Sequence, residues 1–138
     1  MGYRSDVAYK MWFEDVATRD AYIDMILARN EPLLETALGE CNIAASQPYI
    51  AFETESVKWY DGFDDVEARN TLLGLAAEWF PDKYGAYFRR MGEDVNDIED
   101  EYYGSDEFID ESDIEVNRSL SLYTPSLSIS LDEFKARV

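Results

Sequence analysis

VAYKMWF, residues Val7 to Phe13, alternates along the chain with the period of two that is typical of a β-strand. The odd-numbered side chains are all apolar or aromatic, and the even-numbered set includes Ala8 and Trp12. Because both faces carry apolar material, the stretch predicts an interior strand that is covered on two sides. We therefore expect a sheet built outward from this strand.

Helical periodicity follows directly. The residues from Asp15 to Asn30 gather their apolar side chains on one face, and Thr18 or Asp15 is suited to be the N-cap. Pro32 then favours either a second short helix, Leu33 to Leu38, ended by Gly39, or a bent continuation of the first.

A further helix is predicted from Val66 to Phe80, with Asp64 or Asp65 as its cap and Pro81 after its end. Before it, Tyr49 to Tyr60 has β character, but its apolar parity changes near Thr54. A side-chain period of two cannot absorb that change, so we expect one bulged strand, with a tight hairpin as the alternative.

Gly85 to Met91 alternates again and predicts a strand. Val95 to Tyr103 either extends the sheet as an edge strand or loops away from it. Two more strands are expected at the carboxyl end, Ile114 to Leu122 and Leu127 to Leu131, turning at Thr124-Pro125. Ser130 and Glu133 have capping-box spacing and predict a last helical turn.

This order of elements predicts an α+β fold, with two main helices packed on a mostly antiparallel sheet. A ferredoxin-like core with C-terminal strand additions is the favoured topology. The whole chain, residues 1–138, is predicted to form a single domain, and the acidic segment 93–115 is expected to be an insertion in the sheet or its edge.

The acidic segment, Glu93 to Glu115, contains 12 carboxylates and no Lys or Arg. Apolar and aromatic side chains are interleaved among the acids, so the segment differs from a featureless acidic tail. It lies between two predicted strands. We therefore expect both of its ends to be anchored to one sheet, which would shape the negative surface.

Composition narrows the classes of function. A net charge of -18 opposes direct binding to DNA, RNA or anionic lipid, and favours a basic partner. The chain has no histidine and one cysteine, Cys41, which argues against the usual catalytic arrangements and against thiol zinc clusters. Asp94, Asn96 and Ile98 do not complete a calcium loop, because Ile98 cannot ligate. We expect no enzyme activity, no cofactor and no specific metal site.

Two interpretations of the acidic segment remain open. In one, the acids merely solvate a face of the protein. In the other, ordered carboxylates imitate nucleic-acid phosphates toward a protein that binds them with Lys and Arg, and aromatic side chains supply apolar anchors. The residues predicted to contact that partner are Glu93, Asp94, Asp97, Glu99, Asp100, Glu101, Tyr102, Tyr103, Asp106, Glu107, Phe108, Asp110, Glu111 and Asp113.

Three short motifs carry a resemblance. The opening Gly2-Tyr3-Arg4-Ser5-Asp6-Val7, the central Val57-Lys58-Trp59-Tyr60-Asp61, and Phe88-Arg89-Arg90-Met91-Gly92-Glu93-Asp94 followed by Asp97-Ile98-Glu99 resemble small acidic proteins encoded by bacteriophages and prophages. The resemblance spans roughly the first 100 residues. It implies a viral or mobile-element context, in which such proteins are often inhibitors of host defence nucleases, including anti-restriction and anti-CRISPR proteins.

The sequence thus predicts a phage-type inhibitor in the bacterial cytoplasm. It would bind a basic, nucleic-acid-binding host protein, with no direct contact to nucleic acid or membrane. The alternative is a non-enzymatic structural or accessory phage protein, including a homo-oligomer, whose acidic face is only solvating.

Overall fold

The computed structural model describes residues 3–60, 62–94, 96–110, 114–117, 119–122 and 128–136. Within these residues the elements follow one another as β1 (Ser5–Phe13), α1 (Val16–Ala28), α2 (Pro32–Gly39), β2 (Asn42–Ala44), β3 (Tyr49–Val57), α3 (Asp64–Trp79), β4 (Tyr84–Gly92), β5 (Ile98–Gly104), a 3₁₀ turn (Asp106–Phe108), β6 (Ile114–Asn117), β7 (Ser119–Leu122), β8 (Ser128–Ile129) and α4 (Leu131–Lys135).

Six strands form one antiparallel sheet in the order β5-β4-β1-β3-β2-β8. β3 lies between β1 and β2, so it splits the unit β1-α1-β2, and α3 then leads to β4 on the far side of β1. This is a ferredoxin-like βαββαβ arrangement, with α2 inserted before β2 and with β5 and β8 added at the two edges. The predicted α+β fold and its ferredoxin-like core are confirmed.

β1 lies inside the sheet, and both of its faces are buried, as its alternation predicted. Val7, Tyr9 and Met11 are fully buried in the main core, beneath the helices. On the other face Lys10 is only 2% exposed, and its ammonium lies 4.2 Å from the ring centroid of Tyr49. A cation held over an aromatic face can keep its aliphatic stem among apolar neighbours, which explains a buried lysine at this position.

β3 is one strand with a bulge, so the favoured interpretation of the parity change is confirmed. The pairing of β1 with β3 shifts register between Ser5 and Val7, and Ser56 has a positive φ of 53°. Ser56 donates its N–H to Asp6 Oδ1 (2.9 Å), and its carbonyl accepts from Arg4 Nη1 (3.2 Å). Arg4 therefore contacts the backbone of the bulge.

The helix ends agree with the predictions in part. Asp15 caps α1 by accepting from the backbone N–H of Thr18 (2.7 Å). Asn30 has a φ of 54°, a left-handed conformation that asparagine tolerates, and α2 therefore begins as a separate helix at Pro32. The predicted cap of α3 is wrong: Phe63 holds the N-cap position without a side-chain bond, and the acids Asp64 and Asp65 lie inside the first turn.

The carboxyl-terminal strands differ from the prediction. Ile114–Asn117 and Ser119–Leu122 pair with each other in a separate two-stranded sheet, where the alternation predicted one continuous strand. Among the described residues, the far end of the acidic segment is therefore hydrogen-bonded to β7 and not to a strand of the main sheet, so the expected anchoring of both ends to one sheet is wrong. The turn at Thr124-Pro125 lies outside the described residues, and the capping box of Ser130 and Glu133 is confirmed at the start of α4.

Candidate functional site: an acidic edge of the sheet

Apart from its last two residues, which lie in β6, the described part of the acidic segment begins in the turn after β4, runs along β5 and ends just beyond the 3₁₀ turn. We call these residues, 93–94 and 96–110, the acidic edge. β5 pairs with β4 from Met91 opposite Ile98 to Gly85 opposite Gly104, and it forms the end of the sheet order. Of the two predicted alternatives for this segment, edge strand or loop, the structure selects the edge strand.

An ion pair anchors the turn that opens the acidic edge. Arg90 donates to both carboxylate oxygens of Asp97, from Nη2 to Oδ1 (2.7 Å) and from Nη1 to Oδ2 (3.2 Å). The Tyr3 hydroxyl donates to the same Oδ2 (2.6 Å) and accepts from the Asp94 N–H (3.1 Å). Together the hydrogen bonds from Arg90 and from Tyr3 hold the pKa of Asp97 below its ordinary value.

Gly92 makes this crowded turn possible. A Cβ at Gly92 would lie 2.1 Å from Asp97 Oδ2 and 2.2 Å from the Tyr3 hydroxyl. Only a residue without a side chain leaves room for both groups to meet beside the end of β4. The close approach joins the amino terminus of the described chain to the start of the acidic edge.

A second network neutralises Asp100 on the face of the sheet opposite the helices. Arg89 donates from Nε to Oδ1 (2.5 Å) and from Nη2 to Oδ2 (2.9 Å), and the Tyr87 hydroxyl donates to Oδ1 (2.9 Å). The bonds from Arg89, with that of Tyr87, hold the pKa of Asp100 below its ordinary value. Tyr102 stacks on Tyr87 with ring centroids 5.0 Å apart. Arg89 and Arg90 thus each form an ion pair with a carboxylate of the acidic edge.

Glu99 and Glu101 lie on the other face of β5, in register with Arg90 and Phe88 of β4. Glu99 is exposed and reaches Arg90 only at 3.7 Å, while Glu101 is half-buried and accepts from the Tyr103 hydroxyl. Their carboxylates are thus less tightly held by cations than those of Asp97 and Asp100.

The predicted partner-binding residues fall into three groups. Asp97, Glu101, Tyr103 and Phe108 are half-buried, and Tyr103 packs on the main core. Glu111 and Asp113 lie outside the described residues. The exposed members are Glu93, Asp94, Glu99, Asp100, Tyr102, Asp106, Glu107 and Asp110.

Most described cations bind carboxylates of their own chain and do not form a basic surface. The buried Arg19 bonds to Asp20 and also donates to the carbonyls of Ala44 (2.5 Å) and Gln47 (2.7 Å). Ion pairs with a carboxylate also involve Arg29, Arg69, Lys83, Arg89, Arg90 and Lys135. Because these pairs cancel one acid each, the excess of negative charge stays with the remaining carboxylates.

A cleft of about 290 Å³ borders the acidic edge. Sequence inspection did not identify it, because its walls come from distant parts of the chain. The Tyr60 hydroxyl donates to the carbonyl of Tyr3 (3.0 Å), which brings Tyr3 beside the residues that precede α3. Trp59, which also lines the cleft, packs in the main core and is 9% exposed. The lining residues are Tyr3, Trp59, Tyr60, Arg90, Asp97 and Glu99.

Among the described residues, no group of three or more Cys, Asp or Glu side chains is placed to hold a metal ion. The helices in the same residues are too short or too polar to cross a lipid bilayer. The fold and the site thus define an acidic α+β protein with a charged sheet edge. No family model, curated protein or solved structure gives a significant match to the chain.

Proposed function

We propose that this chain is a non-enzymatic, phage-type inhibitor that binds a basic, nucleic-acid-binding protein of the bacterial host through the acidic edge. The target class is a defence nuclease or a component of a CRISPR or restriction system. The chain would occupy the site that this protein uses for DNA or RNA. The proposal combines the resemblance of the sequence motifs to phage proteins with the charge distribution on β5.

One observation carries the proposal: Glu99 and Glu101 are successive same-face residues on a strand held by a continuous ladder to β4. Such residues repeat at about 6.6–6.8 Å along a strand, so their carboxylates form a short, ordered row. An ordered row can meet several Lys or Arg side chains at once without a large loss of conformational entropy on binding.

The chemistry of a nucleic-acid site complements this row. Each DNA strand carries one phosphate for about 3.4 Å of helix axis, and proteins meet these phosphates with Lys and Arg. Carboxylates accept the same charge-assisted hydrogen bonds. A basic groove built for phosphates would therefore attract the acidic edge, and the attraction would weaken as salt rises.

Exposed apolar side chains beside the acids favour a protein partner. Tyr102 and Ile98 are 52% and 43% exposed, and both point to the face of β5 opposite Glu99 and Glu101. Interfaces between proteins depend on a few aromatic or apolar anchors more than on charges at the rim. Tyr102 is the stronger anchor, since its ring already lies stacked on Tyr87.

The test is capture from nuclease-treated bacterial lysate on the immobilised protein, followed by competition. We expect the retained proteins to be nucleic-acid-binding, to elute with added salt and to be displaced by duplex DNA or by RNA. Retained proteins without nucleic-acid affinity, or capture that persists unchanged at high salt, would contradict the proposal.

A second candidate is a structural or accessory phage protein, and the arginine pairs favour it. Asp97 and Asp100 are bound by Arg90 and Arg89 of the same chain, so these two acids stabilise the folded structure and are not free for a partner. Under this alternative, neutralising Glu99 and Glu101 leaves the function of the protein unchanged, whereas under the first proposal the same change weakens capture.

A further inference from the structure

We infer that the partner docks by strand addition: an extended segment with Lys or Arg at alternate positions pairs with the outer edge of β5 and becomes a seventh strand of the sheet. This inference rests on the proposed function, because it names how the same acidic edge would hold its partner. In the described chain β5 pairs only with β4, and its other side is the end of the sheet.

The ladder shows which backbone groups of β5 point outward. Gly92 donates its N–H to the carbonyl of Asp97 (2.8 Å), and Ser105 donates to the carbonyl of Tyr84 (2.8 Å). Odd-numbered residues of β5 therefore direct their N–H and C=O groups toward β4, and the even-numbered residues direct theirs away. The N–H of Ile98 is taken by the Asn96 carbonyl (3.1 Å), so an added strand would depend on the outward-directed donors further along β5, which include the N–H groups of Asp100 and Gly104.

The same alternation of odd and even residues determines which side chains an added strand would need opposite β5. Residues facing Glu99 and Glu101 would occupy non-hydrogen-bonded pairs, in which opposing Cα atoms are only about 4.5 Å apart and side chains interact most closely. Lys or Arg fits these two positions. On the opposite face Asp100 is already neutralised by Arg89, and Tyr102 is exposed, so the residue between the two cations is expected to be apolar.

A second copy of the chain is a poor occupant of this edge. Pairing β5 with the β5 of another copy would bring the run Glu99-Asp100-Glu101 against the same run. Like charges on opposing strands are destabilising, and charged edges are a known protection against such self-pairing. Charge complementarity therefore selects a basic strand from a different protein.

The experiment uses the full chain and three synthetic peptides. The first alternates lysine and valine, the second has the same composition in two blocks, and the third is the alternating peptide with N-methylated valines, which removes the N–H groups that would face β5. Binding is measured by fluorescence anisotropy, and amide hydrogen exchange of Asp100 and Gly104 is followed by NMR.

We expect the alternating peptide to bind at least about tenfold more tightly than the other two and to slow exchange at Asp100 and Gly104. The variant E99Q/E101Q should weaken this binding without unfolding the protein, as judged by its unchanged amide spectrum elsewhere. Equal affinity for all three peptides, or binding without protection at Asp100 and Gly104, would overturn strand addition while leaving acidic-surface capture in place. Strand addition observed together with failure of the lysate competition would instead count against the proposed function.

Discussion

Arg90 at the end of β4 and Asp97 just before β5 are joined by two hydrogen bonds, of 2.7 and 3.2 Å. The pair closes the turn that starts the acidic edge, and the side chains of Arg90 and Asp97 are 14% and 34% exposed. One carboxylate of the acidic segment is therefore bound within the chain and holds this turn in place. Its partner, Arg90, is only seven residues away in sequence.

Replacing Asp97 by Asn should lower the stability of the protein at neutral pH, because an amide lacks the charge that Arg90 and Tyr3 stabilise. The pKa of Asp97 is lowered in the folded state, so its contribution is present above pH about 4 and is lost as pH falls toward the folded-state pKa. Urea-unfolding midpoints of the wild type and D97N should therefore differ most at pH 7 and draw together as the pH falls below about 4.

Asp94 supplies the matched control for that measurement. D94N removes one charge from the same turn, while the backbone N–H of residue 94 can still donate to Tyr3. At neutral pH the urea-unfolding midpoint of D94N should equal that of the wild type or be slightly higher, since the substitution reduces self-repulsion in an acidic chain. Equal losses in D97N and D94N would show that the ion pair contributes nothing specific.

Cys41 should resist thiol reagents in the native protein. Burial raises the pKa of its thiol to about 11, and its sulfur lies 3.3 Å from the Tyr9 hydroxyl in the core. At pH 7 only about one such thiol in ten thousand is ionised, and the thiolate is the reactive species. Labelling with a chromogenic disulfide should be slow without urea and fast above the unfolding midpoint.

An exposed cysteine provides the comparison. Ser46 lies at the surface of the β2–β3 connection, and S46C should show one thiol that reacts at once and a second that reacts only on unfolding. Rapid labelling of two thiols in native S46C would show that the core around Cys41 opens readily.

Two buried arginines should respond differently to replacement by Met. Arg69 packs on Phe52, its guanidinium carbon 4.5 Å from the ring centroid, and among the described residues its buried Nε has no acceptor. Its acidic partners Glu40 and Asp65 are about half or more exposed and can return to water. R69M should therefore stay within about 1 kcal/mol of the wild-type unfolding free energy.

Arg19 is the contrasting case. Its guanidinium donates to the carbonyls of Ala44 and Gln47, and a methionine would leave these acceptors without their donor. R19M should lose about 2–4 kcal/mol in urea unfolding, because buried unsatisfied groups carry a full desolvation penalty. Similar losses for R19M and R69M would mean that packing, and not hydrogen bonding, sets the cost at both sites.

Two glycines should change stability in opposite directions when replaced by Ala. Gly74 lies inside α3 with nothing within 4 Å of an added Cβ, so G74A should stabilise the protein by about 0.5–1 kcal/mol. G92A should destabilise it, because the new methyl group displaces the Asp97 carboxylate or the Tyr3 hydroxyl. Thermal unfolding of both variants tests this contrast, and an unchanged melting temperature for G92A would contradict the described turn.

Neutralising Glu99 and Glu101 should weaken capture of a basic partner by about tenfold at low salt, through slower association, with the difference shrinking as salt rises. The control D24N/D132N removes the same charge from exposed positions on α1 and α4, away from β5. Surface plasmon resonance with the captured protein compares the two variants. If both double variants bound the partner equally weakly, the net charge of the chain, and not the row formed by Glu99 and Glu101, would determine binding.

The sequence by itself determined the features that depend on near neighbours. Alternation placed β1 inside a sheet, the parity change near Thr54 predicted the bulge, and Asp15 and Ser130 marked helix starts, since each effect acts within a few residues.

Only the tertiary structure decided which carboxylates are neutralised and which remain outside. Tyr3 reaches Asp97 across 94 positions, and the odd and even residues of β5 acquire different surroundings only once β4 pairs beside them. The pairing of residues 114–117 with residues 119–122 likewise escaped the alternation pattern, because one continuous strand and two paired strands can share one parity. Long-range contacts of this kind depend on how the whole chain packs, and no local pattern contains them.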